Sequence, residues 1–200
     1  NLFSNSIIAF DITKKKIAWS FQETCHDIWN FDIAAPPVLT TISKNNKRID
    51  VVVAFTKLGN TIILNRENGN PIFDYRKRVA PASNLPGEKT CLYQPDLELP
   101  EPFFKSEFDL NDITDLNNEE YNFVKSKVKN YNYGFFPTHE IDKPTLIRSL
   151  HGGAQWMGAS VDPINNIAYV TSNNLPDLIE VYSAKNINGD FKYSTNDLKQ

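Results

Sequence analysis

Ser6-Ile7-Ile8-Ala9-Phe10-Asp11-Ile12-Thr13-Lys14-Lys15-Lys16-Ile17 overlays Thr61-Ile62-Ile63-Leu64-Asn65-Arg66-Glu67-Asn68-Gly69-Asn70-Pro71-Ile72 without a gap, at an offset of 55 residues. Each copy is a short β-branched run, a polar turn and a second apolar start, which reads as strand, turn, strand. A looser third copy begins at Ile179-Glu180-Val181-Tyr182, turns at Asn188-Gly189 and resumes at Phe191. Further strands are expected over residues 34–42, 50–55, 145–150, 158–162 and 166–171. Short antiparallel strands repeating at about 40 to 50 residues mark a propeller, in which each four-stranded blade buries its faces against its neighbours. A sandwich would not account for the echo. The predicted fold is therefore all-β, a partial β-propeller of about three to four blades.

Two stretches break the strand pattern. Residues 80–105 carry Pro81, Pro86, Pro95, Pro100 and Pro102 and read as a long loop over a blade surface. Residues 114–131 read as a helical insertion. Thr114 or Asp115 can cap it, Glu119 and Glu120 favour its N-terminal dipole, and Leu116, Phe123, Val124 and Val128 recur at helical spacing. Lys125, Lys127 and Lys129 load its far end.

Composition narrows the partners. With 40% apolar residues the chain is globular, and its 21 basic against 24 acidic side chains give a net charge of −3. That excludes the basic excess that binding to nucleic-acid phosphates requires. The longest apolar run is the five residues Val51 to Phe55, whereas a membrane helix needs about 20. No targeting segment is visible, and the opening Asn1-Leu2-Phe3 suggests a chain cut from something longer. Cys25 and Cys91 form no zinc spacing, and free thiols and a disulfide both remain open. Walker, dinucleotide, nucleophile-elbow and His-Glu-x-x-His patterns are all missing from the sequence.

The chemistry-bearing residues cluster in two places. Residues 22–37 place His26, Asp27 and Asp32 beside Trp29 and Phe31, between blade strands, where a rigid scaffold mounts its sites. His151-Gly152-Gly153-Ala154-Gln155-Trp156-Met157-Gly158 joins paired glycines to a Trp. Lys57 lies in the tight turn Thr56-Lys57-Leu58-Gly59-Asn60.

In this order the pieces resemble the pyrroloquinoline-quinone (PQQ) dependent dehydrogenases, eight-bladed quinoproteins that oxidise sugars and alcohols. Residues 5–22, with Ala9, Asp11, Trp19 and Gln22, resemble that family's tryptophan-docking repeat. His26-Asp27-Ile28-Trp29-Asn30-Phe31-Asp32 is similar to its His-Asp-x-Trp-Asp loop, continued by Ala35-Pro36-Pro37. Thr56-Lys57-x-Gly59 and Leu64-Asn65-Arg66-Glu67-Asn68-Gly69 resemble its Thr-Lys-x-Gly turn and Leu-Asp-Arg-x-x-Gly hairpin. Pro86-Gly87-Glu88, Gln94-Pro95, the 151–156 segment and Ser160-Val161-Asp162-Pro163 keep the order. The resemblance spans residues 1 to about 182 and is strongest to the membrane-associated glucose dehydrogenase branch.

The resemblance implies roles. The Asp after the loop Trp is the family's catalytic base, near the cofactor and its divalent metal, calcium or magnesium; that position holds Asn30. A basic residue 27 positions later contacts the quinone, and here it is Lys57. Gln155 and Trp156 match the quinone pocket, and His26 the substrate side. An amide cannot accept a proton near neutral pH, and loss of a general base removes about 10² to 10⁴ in rate. Asp32 is a substitute, but a two-residue step along extended chain moves it roughly 6.5 Å. The family's metal-binding Glu and Asn and its stacking Trp belong to earlier blades, so this segment alone is expected neither to bind PQQ tightly nor to oxidise glucose. The whole protein is expected in the periplasm, attached to the inner membrane, with a sugar or alcohol substrate and membrane quinone as electron acceptor. A non-enzymatic propeller scaffold, or a degenerate quinoprotein, is the alternative.

Overall fold

The structure is a computed structural model, and it describes residues 3–183 and 193–197. Among the described residues, twelve strands run in the order β1 (Ser6–Asp11), β2 (Lys16–Gln22), β3 (Val38–Lys44), β4 (Lys47–Phe55), β5 (Thr61–Asn65), β6 (Arg76–Val79), β7 (Tyr93–Asp96), β8 (Thr145–Ile147), β9 (Ala159–Asp162), β10 (Ile167–Val170), β11 (Asp177–Ser183) and β12 (Tyr193–Asp197). The α-helix α1 (Asn118–Val128) follows a short 3-10 turn at Leu110–Asp112. The strands form the antiparallel sheets β1-β2, β3-β4-β5, β6-β7, β12-β11-β8 and β10-β9.

Sheet β3-β4-β5 is the centre of the stack because β4 is apolar on both faces. Val52 and Ala54, with Ile62 and Leu64 of β5, pack on Ile7 and Phe21 of the β1-β2 hairpin. Val51, Val53 and Phe55 turn the other way, onto Ala159, Val161 and Val170 of β9-β10. The period-2 alternation of a strand thus puts one sheet between two others, the stacking expected of propeller blades.

The repeated hairpins touch directly. In the first, Asp11 Oδ1 accepts the Thr13 and Lys14 amides, at 3.0 and 2.9 Å, and closes the turn. In the second, Asn65 Oδ1 does the same for Glu67 and Asn68. Trp19 of the first donates its indole N–H to the Arg66 carbonyl at 3.1 Å and lies flat on Gly69, where any Cβ would come within 2.6 Å of the ring.

Several expectations are revised. Among the described residues the sheets have two or three strands, not four. The outermost partner of β5 shrinks to the single bridge Leu64↔Pro71, carried by Ile72 N to Ile63 O and Asn65 N to Asn70 O, both at 2.8 Å. The strand expected over 34–42 starts only at Val38, after Pro36 and Pro37. Residues 80–105 are not loop throughout: Tyr93–Asp96 pairs with Arg76–Val79, with Pro95 tolerated on the edge of a two-stranded sheet. The helix is shorter than 114–131, and its cap is Asn117, whose side chain accepts the Glu120 amide at 2.9 Å. Leu116 falls outside the helix, and only Val128 on it is fully buried. The third echo starts inside β11; its turn at Asn188-Gly189 and Phe191 lie outside the described residues.

Candidate functional site

The loop joining β2 to β3 carries His26, Asn30 and Asp32, and it is fixed from within. Asp27 Oδ1 accepts the Trp29 amide at 2.8 Å, and Asp27 Oδ2 accepts Asn5 Nδ2 at 2.7 Å. Trp29 is buried, stacks on Phe31 at 5.6 Å and meets Phe136 edge-on at 5.0 Å. Its Nε1 donates to the Pro137 carbonyl at 2.5 Å, and buried His139 contacts the Ile28 carbonyl at 3.0 Å through Nε2. Burial holds the His139 imidazole below its usual pKa.

His26 and Asn30 both take left-handed backbone, with φ of 51° and 64°. The segment is therefore not one continuous strand. Instead the turn aims the Asn30 carbonyl and the Asp32 carboxylate at one cation: Lys57 Nζ lies 3.1 Å from Asn30 O and 2.5 Å from Asp32 Oδ1. The Lys57 side chain is only 5% exposed against 32% for Asp32, so the ammonium is the enclosed member of the pair. An ammonium has three donors, and two acceptors meet it among the described residues.

The turn bearing Lys57 is fully buried from Thr56 to Asn60. The glycine-rich segment seats against it: Ala154 N donates to Thr56 O at 3.1 Å. Gly153 has φ of 60°, and a Cβ there would lie 2.0 Å from the Lys57 carbonyl oxygen. No other residue fits that crossing. Gln155 Nε2 turns back to the Gly152 carbonyl at 2.9 Å, while Trp156 is 76% exposed. The structure thus gathers Asn30, Asp32 and Lys57, and leaves Trp156 on the surface. His26 goes elsewhere, to Glu88 at 2.6 Å.

The same loop is strapped from outside. Cys25 and Cys91 form a disulfide with Cα atoms 6.0 Å apart, which settles the open question about the two thiols. Gln94 bonds the Cys25 backbone twice, accepting its N–H at 2.8 Å and donating to its carbonyl at 2.7 Å.

One residue beneath the site was missed by sequence reasoning. Glu23 is 0% exposed, and its Oε1 accepts Thr56 Oγ1 at 2.7 Å and Asn60 Nδ2 at 2.8 Å. Burial pushes its carboxyl up to about 7, against the hydrogen bonds from Asn60 and Thr56 that lower it. The signal was present: Phe21 faces inward, so strict alternation carries residue 23 inward as well.

A family profile for the PQQ proteins, described as the glucose/ethanol/alcohol dehydrogenase beta-propeller domain, matches residues 1–199. The chain belongs to this family. Among PQQ-family relatives, quinoprotein glucose dehydrogenase of Escherichia coli (strain K12) is 29% identical over 178 residues, covering 87% of this chain and 22% of that protein. Quinoprotein glucose dehydrogenase A of Acinetobacter calcoaceticus is 28% identical over 183 residues, with the same coverages. The glycerol dehydrogenase large subunit of Gluconobacter oxydans (strain 621H) is 27% identical over 186 residues, or 88% of this chain and 24% of that one. The chain spans about a fifth to a quarter of the length of these relatives.

The residues present fit the family's quinone in one respect. Lys57 offers a buried ammonium with a donor to spare beside a carboxylate and a carbonyl that hold it in place, which suits electron-rich quinone oxygens. No three His, Cys, Asp or Glu side chains converge among the described residues. No step is therefore assigned to a metal held by this chain.

Proposed function

We propose that this chain is a sector of a PQQ-dependent dehydrogenase that oxidises a CH–OH group of a sugar or alcohol, of the glucose type. The observation that carries the reading is the buried Lys57 ammonium, fixed by Asp32 and Asn30 in the family's two site loops. PQQ, when bound, supplies a two-electron acceptor for the substrate's hydride. Lys57 holds positive charge where negative charge develops. The Asn30 amide orients a hydroxyl by hydrogen bonding and cannot take its proton, which leaves Asp32 as the carboxylate beside Lys57.

The disulfide supports an oxidising compartment such as the periplasm. Among the described residues no helix is long and apolar enough to cross a membrane, so attachment to the inner membrane would be supplied by other parts of the protein. Membrane quinone is the proposed electron acceptor. The amide at Asn30 favours one second reading, a propeller kept as a scaffold or a degenerate quinoprotein.

Dye reduction by the full-length protein with PQQ, calcium or magnesium, and a panel of sugars and alcohols tests both. The dehydrogenase reading expects PQQ-dependent turnover that Lys57→Ala abolishes and Asn30→Asp raises by about 10² to 10⁴. No turnover in either the parent or Asn30→Asp overturns it in favour of the scaffold.

A further inference from the structure

We propose that Glu23 is a positioning residue for Lys57, an inference that rests on the quinone-site reading above. The Thr56–Asn60 turn closes on itself through Thr56 N to Asn60 O at 3.2 Å and Gly59 N to Thr56 O at 3.0 Å. Glu23 Oε1 grips both ends of that turn from below, through the Thr56 hydroxyl and the Asn60 amide. The side chain of Lys57 is long and rotamer-rich, so the place where its ammonium stops is set by where its Cα is anchored. A shift of the turn by 1 Å would carry Nζ out of range of Asp32 Oδ1 or Asn30 O, and displacements of that size cost up to about 10² in rate elsewhere.

Stability alone does not account for a carboxyl at this position. It is fully buried, its second oxygen Oε2 has no partner, and neither donor it accepts is charged. Burying a carboxyl on those terms is unfavourable, whereas an apolar residue would fill the space without that cost. What Glu23 offers that an apolar residue cannot is one acceptor atom serving two donors on opposite sides of Lys57.

The test is PQQ binding to the full-length protein with calcium present, followed by equilibrium dialysis, in parallel with activity. Glu23→Ala is expected to raise the half-saturating PQQ concentration about 10-fold, and Glu23→Gln, which keeps Oε1, to stay within about 2-fold of the parent. In a Lys57→Ala background, Glu23→Ala should add nothing, because the residue acts through the lysine. An undiminished Glu23→Ala effect in that background means a merely structural role and overturns the proposal. If Glu23→Ala does not fold, Thr56→Val removes one of the two donors with little change of shape; about a 3-fold loss is expected, and unchanged binding overturns the proposal. Lys57→Ala separates the two readings. Unchanged PQQ binding there overturns the quinone site itself, whereas a loss in Lys57→Ala with none in Glu23→Ala or Thr56→Val overturns the positioning role alone.

Discussion

The Trp29 indole nitrogen lies 2.5 Å from the carbonyl oxygen of Pro137, 108 residues further along the chain. That bond and the stacking on Phe31 and Phe136 hold the site loop against the β12-β11-β8 sheet. Trp29→Phe keeps most of the ring contact but leaves a buried carbonyl without its donor. A loss of about 1 to 3 kcal/mol is expected, against about 3 to 5 kcal/mol for Trp29→Ala, read as shifts in the urea midpoint of the full-length protein. Equal losses in the two variants would mean the indole N–H contributes nothing.

Gly153→Ala tests the crossing of the two site segments. Its Cβ would stand 2.0 Å from the Lys57 carbonyl oxygen, and alanine is disfavoured at φ of 60°. Calorimetry should show a loss of about 2 to 4 kcal/mol, and PQQ binding should weaken with it. A variant that melts and binds like the parent would show that the crossing is looser than described.

The Cys25–Cys91 disulfide closes a loop with a sequence separation of 66. Chain-entropy arguments give such a bridge about 4 kcal/mol. Cys25→Ser, Cys91→Ser and the double variant should therefore lose the same amount, and reductant should bring the parent down to their level while leaving theirs unchanged. Different losses in the two single variants would show that one sulfur contributes by packing rather than by bonding.

Two buried groups give stability an opposing pH dependence. The Glu23 carboxyl is raised from 4.5 to about 7, so the folded state binds more protons than the unfolded state between those values. Its contribution is full below about pH 4.5 and is lost as pH rises through 7, by an amount on the order of 3 kcal/mol. His139 is lowered from 6.5 by burial, so its contribution is present above 6.5 and is lost as pH falls through the folded value. Denaturation midpoints from pH 4 to 8 should show both limbs in the parent, and Glu23→Gln should abolish the falling limb only. Persistence of that limb in Glu23→Gln would assign it to another group.

Much of this was legible in the sequence because strands and turns report themselves locally. The β1-β2 hairpin and the β4 and β5 strands follow from alternation and turn residues, and the site motifs from their resemblance to the family. The limits were equally physical. The second echo keeps only the bridge Leu64↔Pro71 beside β5, a ladder length that no local pattern announces. Asn30 takes left-handed backbone, which that residue type tolerates but does not by itself announce. The partners of His26 and His139 are distant in sequence, at Glu88 and Ile28, and no local pattern announces them.

Those long separations have a kinetic meaning. The ladders of β1 with β2, β3 with β4, β4 with β5 and β9 with β10 join neighbours in the chain, so they close short loops and can form early. The loop around Asn30 depends on ties across 62, 66, 69, 108 and 111 residues. Contact order therefore predicts that this loop sets after the hairpins, so that the chemistry is assembled on a scaffold already formed.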